Sequence, residues 1–161
     1  MFPEGFLTVE RIQLDCESHS KKRVLQRIGE ILATVSEDLD GDDIFDKLFE
    51  RERIGATGLG HGIGLPHARI ENISEARATL FIMSEAVDYD AADQQLVDLL
   101  FGLVVPENME SAERNHLDIL ANLAAMFSDE EMRKKFRSSN DPQQILNYFN
   151  AWCNSHSSPK E

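Results

Sequence analysis

Cysteine and tryptophan are nearly missing from this chain, positive charge is in deficit, and no apolar run is long enough to cross a bilayer. Each shortage closes a class of function. The two cysteines, Cys16 and Cys153, lie far apart with no Cys or His near enough to complete a metal knuckle, so they read as reduced thiols and not as a disulfide framework. Against 29 Asp and Glu there are only 16 Lys and Arg, a formal net charge of −13. Such a surface repels a phosphodiester backbone, which argues against nucleic-acid binding. It also repels an anionic bilayer, and a span would need about 18 to 20 apolar residues, so membrane insertion is not expected. The first residues, MFPEGFLTVERIQLDCE, carry no basic leader, apolar core or small-residue cleavage site, which points to the cytoplasm.

What is present suits one globular domain: 161 residues, 42% hydrophobic, without repeats or low-complexity tracts. Val24, Leu25, Ile28, Ile31, Leu32 and Val35 recur at helical spacing after a cap at Ser18 or Ser20, although Lys21, Lys22 and Arg23 sit at the wrong end of the helix dipole. A second helix follows Gly41, with Ile44, Phe45, Leu48 and Phe49 inward and Asp42 and Asp43 in its first turn. Residues 78–83 (ATLFIM) and 99–105 (LLFGLVV) read as buried strands covered on both faces. Leu117, Leu120, Leu123, Ala124 and Phe127 predict a helix over 111–127, with shorter helices over 130–136 and 142–152 capped by Asp129 and Asp141. Helices interleaved with strands make an α/β fold with a sheet covered on both sides. The domain is expected to occupy 1–152, and 153–161, with nothing to bury, a frayed tail.

The unusual stretch is RERIGATGLGHGIGLPHARI, residues 51–70, which holds five of the nine glycines with His61, Pro66 and His67. Glycines permit close backbone approach, and successive N–H groups there can form an anion-binding concavity. Pro66 stiffens the segment that presents His67. A neutral imidazole in such a place can act as a nucleophile toward a phosphoryl group while a guanidinium meets its oxygens. The string is neither a Walker A loop nor a dinucleotide fingerprint. His61, His67 and the distant His116 leave a three-histidine metal site open as an alternative.

The string RERIGATGLGHGIGLPH resembles the active-site segment of the IIA proteins of the mannitol/fructose and nitrogen-regulatory branch of the bacterial phosphotransferase system. VDLLFGLVVPE (97–107) and NHLDIL from Asn115 match the same family downstream, in its order and spacing. The resemblance implies a mixed β-sheet sandwiched between helices, and no cofactor or metal. It implies that His67 is the phosphorylated histidine, that His116 is the second active-site histidine, and that Arg51 helps to hold phosphoryl oxygens. Glu52 completes the RE pair, either in the site or as a helix-end contact. The implied donor is an HPr-like phosphocarrier protein (NPr). The nitrogen-regulatory branch is the nearer match and implies targets such as potassium-transport or sensor-kinase components. A sugar-specific IIA protein, passing its group to a IIB domain, and a binding module that takes no phosphoryl group are the alternatives. Three positions depart from the family pattern: His61 stands at a usual Asn, Ala68 at a usual Gly and Leu96 at a usual Pro. His61 would place a third imidazole near the site, which can alter the lifetime of the phosphohistidine or its pH dependence.

Overall fold

The Ser20 hydroxyl accepts a hydrogen bond from the Arg23 backbone N–H at 3.1 Å, satisfying one of the amides that a helix start leaves without a partner. In the computed structural model, which describes residues 2–107 and 112–156, helix α1 (Lys21–Ala33) follows this cap. It buries Val24, Leu25, Ile28 and Leu32, each contributing roughly 1.5–3 kcal/mol of transfer free energy. Of the three cations at its start, Lys21 is met by a tertiary partner: its Nζ lies 3.1 Å from Glu52 Oε2 and 4.2 Å from the centre of the Tyr89 ring. Helix α2 (Gly41–Ile54) is capped by Asp40, one residue ahead of its acidic first turn, and buries Ile44 and Leu48. The two helices touch backbone to backbone, since a Cβ on Gly29 would stand 2.7 Å from the Gly41 carbonyl oxygen.

Six strands form one sheet: β1 (Ile12–Cys16), β2 (Gly58–Gly60), β3 (Ile63–Gly64), β4 (His67–Ile70), β5 (Arg77–Val87) and β6 (Val97–Pro106). The order is β1-β5-β6-β3-β2, and β4 follows β3 along the same edge of β6. Pairing is parallel for β1 with β5 and for β3 and β4 with β6, but antiparallel for β5 with β6 and β2 with β3. Period-two alternation splits β6 between two cores: Leu99, Phe101, Leu103 and Val105 face one side, Leu100 and Val104 the other. Helices α1 and α2 cover the second side. Helices α3 (Ala112–Ser128), α4 (Glu130–Ser138) and α5 (Pro142–His156) cover the first, through Ile119, Leu123, Phe127, Phe136, Ile145 and Phe149. The result is the expected α/β architecture with a mixed sheet between helical layers.

Several details differ from the sequence reading. The two expected strands run longer, and β1 to β4 were not anticipated. They are short, β2 and β3 are rich in glycine, β1 and β4 carry polar residues, and β1 is broken by a bulge where Asp15 takes φ 51°. Val35 lies beyond the end of α1, whose cap is Thr34. In α3 the inward face is turned from the expected one: Leu117 is 65% exposed and Ala124 is exposed, while His116, Ile119, Leu123, Met126 and Phe127 are buried. Apolar residues at neighbouring positions 119, 120 and 123 leave the phase of the stripe ambiguous from spacing alone. Ser111, the expected first residue of this helix, lies outside the described residues. At the other end, α5 continues past Trp152 to His156, whose ring stacks on Trp152 at 4.1 Å. That contact makes 153–156 helical where a frayed tail was expected, and 157–161 lie outside the described residues.

Candidate functional site

Between β3 and β4, Leu65 and Pro66 interrupt the strand without leaving the sheet. The Leu65 N–H donates to the Thr57 carbonyl and the Pro66 carbonyl accepts from Leu103 N–H, both at 3.0 Å. His67 follows as the first residue of β4, opposite Leu103, and is 8% exposed. Its Nδ1 lies 2.8 Å from the Leu65 carbonyl oxygen. A carbonyl can only accept, so the proton sits on Nδ1 and Nε2 carries the free lone pair. Burial lowers the pKa of His67, and the Arg51 charge lowers it further, against the Leu65 hydrogen bond and Glu52, which raise it. The ring is therefore neutral at pH 7.

His116, brought inward by the phase of α3, stands with its ring centre 5.1 Å from that of His67 and the rings at 61°. Its pKa falls to about 4, first through burial and then through the charges of His67, Arg69 and Arg51. Its Nδ1 is buried without a hydrogen-bond partner among the described residues. Both imidazoles open on a cleft of about 590 Å³. Helix α2 supplies Lys47, Glu50, Arg51 and Ile54 to its wall, and β4 supplies Ala68 and Arg69. Arg51 also donates to the Gly55 carbonyl at 2.9 Å, which caps the end of its own helix. Glu50 and Glu107 also line the cleft, and Glu107 pairs with Lys47 at 3.9 Å, so its three cations stand against two carboxylates and leave a local excess of positive charge in a strongly acidic chain. Lys47, one turn before Arg51 on α2, and Arg69 on β4 are members of this cleft that the motif did not single out.

Glu52 faces away from the cleft. It is 7% exposed and accepts from the Thr57 N–H at 3.0 Å, from the Thr57 hydroxyl and from the Tyr89 hydroxyl, with Lys21 as its counter-ion. The Tyr89 phenol is held well above its usual pKa by burial and by Glu52, so it stays a donor. This decides between the two readings of the RE pair: Glu52 is a helix-end anchor.

His61 does not join the site. It tops the β2–β3 hairpin with φ 57°, between Gly60 and Gly62 at φ 84° and 78°. Its carbonyl accepts from Arg137 of α4, and its side chain lines another cleft with Arg133, Lys134 and Arg137. Along β6, the pairing of Ile63 with Leu99 lies four residues from that of His67 with Leu103, or about 13 Å at strand rise. The three histidines are thus not assembled, and among the described residues no His, Cys, Asp and Glu cluster could hold a metal ion. Both the metal alternative and the expected third imidazole are overturned. Asn and His are each enriched in the left-handed region, so the substitution speaks to turn geometry and not to chemistry. The glycines likewise serve packing: a Cβ on Gly64 would press on Tyr89 at 3.3 Å, and one on Gly62 would meet Arg137 at 2.7 Å. They let the hairpin and the strand after it pack closely against these side chains.

The family model for the phosphoenolpyruvate-dependent sugar phosphotransferase system, EIIA 2, matches residues 5–152. The chain belongs to this family. A nitrogen regulatory protein of Pseudomonas aeruginosa is 38% identical over 136 residues, which cover 84% of this chain and 86% of that protein. The crystal structure of the nitrogen regulatory protein IIA-Ntr from Neisseria meningitidis superposes with a TM-score of 0.83 at 36% identity, over 89% of this chain and 95% of that one. The IIA mannitol protein of Escherichia coli shares the EIIA fold at a TM-score of 0.72 and 18% identity, over 88% and 96% of the two chains. Among the described residues of this EIIA protein, no helix is long and apolar enough to cross a membrane.

Proposed function

We propose that this EIIA protein is a cytoplasmic phosphocarrier of the nitrogen-related phosphotransferase system. It takes a phosphoryl group onto Nε2 of His67 from the phosphohistidine of an HPr-like donor (NPr), and its phosphorylation state governs binding to targets such as potassium-transport or sensor-kinase components. One observation carries the reading: a neutral His67 whose Nδ1 proton is held by the Leu65 carbonyl, leaving Nε2 free beside His116 in a cationic cleft. The Nε2 lone pair forms the new N–P bond as the donor's N–P bond breaks, and that bonding pair returns to the donor imidazole. No proton has to move, because Nδ1 keeps its proton, hydrogen-bonded to the Leu65 carbonyl. Charge spreading over the three equatorial oxygens is met by Arg51 and by an N–H of His116.

Two further features support a protein donor. Ile54, at the cleft wall, is 84% exposed, and Leu117, next to His116, is 65% exposed, offering apolar contacts on either helix. A net charge of −13 would speed encounter with a basic partner. A phosphoryl group on His67 adds negative charge to the cleft, which suits a docking switch. Similarity to nitrogen regulatory proteins favours the regulatory branch.

The test is incubation with phosphoenolpyruvate, enzyme I and an HPr-type carrier, followed by intact mass. The wild type gains one phosphoryl group and His67→Ala gains none. Arg51→Ala gains it at a rate lower by about 10²–10³, as for other preorganised donors. Wild type unmodified by donors of both branches refutes the proposal, and onward transfer to a fructose or mannitol IIB domain assigns the protein to the sugar branch instead.

A further inference from the structure

His67 owes its reactive tautomer to one hydrogen bond, and the acceptor of that bond is held in turn by a buried chain of contacts starting 15 residues upstream. Leu65, 3% exposed, is tied on both sides of its peptide: its carbonyl takes the His67 Nδ1 proton, and its N–H donates to the Thr57 carbonyl. Thr57 has no freedom of its own. Its N–H and its hydroxyl both donate to the Glu52 carboxylate, and its hydroxyl lies 3.2 Å from the Tyr89 hydroxyl. The Tyr89 ring also packs under Gly64, the residue before Leu65. Lys21 closes the network from α1, 3.1 Å from the carboxylate and over the Tyr89 ring.

The geometry points to Glu52 as a positioning residue for phosphoryl transfer: through Thr57 and Leu65 it fixes the carbonyl that holds the Nδ1 proton of His67, and so selects Nε2 as the nucleophile. Glu52 never touches the reacting atoms. A carboxylate suits the task because the Thr57 N–H, the Thr57 hydroxyl, the Tyr89 hydroxyl and Lys21 all donate, and only an ionised acid accepts from all of them and also balances Lys21. Glutamine in its place must turn a donor toward at least one of these donors. The segment 57–65 would then relax, Leu65 would drift, and the Nε2–H tautomer, which cannot attack, would gain population.

This inference rests on His67 being the phosphoryl acceptor, but its primary readout does not. In histidine-labelled protein, the nitrogen shifts of His67 report directly which nitrogen carries the proton. The wild type is expected to show the Nδ1–H form. Glu52→Gln and Thr57→Val, each folded by circular dichroism, are expected to raise the Nε2–H population several-fold, and Thr57→Ser, which keeps the hydroxyl, to restore the wild-type pattern. In phosphoryl acceptance, Glu52→Gln should lower kcat about tenfold, as misplacement of a reacting group does, with KM for the donor unchanged. Wild-type shifts in both folded variants overturn the inference, as does an Nε2–H wild type. The expected tautomers in wild type and variants, with no phosphoryl group accepted by the wild type, refute the phosphocarrier reading alone.

Discussion

His116 should make the fold sensitive to acid, and the size of the effect follows from its surroundings. Its folded pKa of about 4 lies below the ordinary histidine value of 6.5, because the ring is buried beside His67, Arg69 and Arg51. In the unfolded chain those causes vanish. Between pH 6.5 and 4 the unfolded state therefore binds more protons than the folded one, and stability falls as pH falls through that window. Taken at face value, the difference removes about 2.5 kcal/mol at pH 4.5. The cleft admits water on one side, so about half of this is expected, or a urea midpoint lower by about 0.5 M for an m-value near 2 kcal/mol/M. Carboxylates titrate in the same range, so the informative quantity is a difference between proteins. Urea unfolding of the wild type and of His116→Gln at pH 7.5 and at pH 4.5 isolates it. The variant should lose clearly less stability on acidification. His67, also lowered by burial, acts in the same direction in both proteins and keeps the variant's response from being flat. Parallel loss in the two proteins would show that His116 titrates normally, and the account of the cleft's electrostatics would fall with it.

Two other substitutions separate local from tertiary causes. Gly29→Ala should stabilise α1 by about 1 kcal/mol on helix propensity alone. The added Cβ would meet the Gly41 carbonyl oxygen at 2.7 Å, so the expected outcome is a net loss of about 1–3 kcal/mol in thermal or urea unfolding; a raised midpoint would refute the close crossing of α1 and α2. His61→Asn should leave the hydrolysis rate of the phosphorylated protein unchanged, since the side chain lines a different cleft; a changed rate would place His61 back at the site.

Short-range pattern was enough to read the architecture and to single out a candidate nucleophile. Caps at Asp129 and Asp141, a cap at Ser18 or Ser20 that the structure resolves to Ser20, the stripes of α1 and α2 and the apolar runs in β5 and β6 are properties of a few neighbouring residues, so they are legible without any tertiary contact. The family motifs that single out Arg51, His67 and His116 are legible for the same reason. The rest depended on distant parts of the chain meeting. Strands β1 to β4 are too short to announce themselves and are fixed by pairing across the sheet. The phase of α3, which turns His116 inward and Leu117 outward, is chosen by the core and not by its own near-continuous apolar sequence. Glu52 looks from sequence like the neighbour of a catalytic arginine, yet successive residues on a helix point about 100° apart. Arg51 therefore reaches the cleft while Glu52 enters the buried network that holds Thr57. His61 and His67, six residues apart, are separated because the chain between them runs extended along β6. Proximity in sequence sets which residues share an element; which side chains share a site is set by the burial of apolar faces and by hydrogen bonds across the sheet.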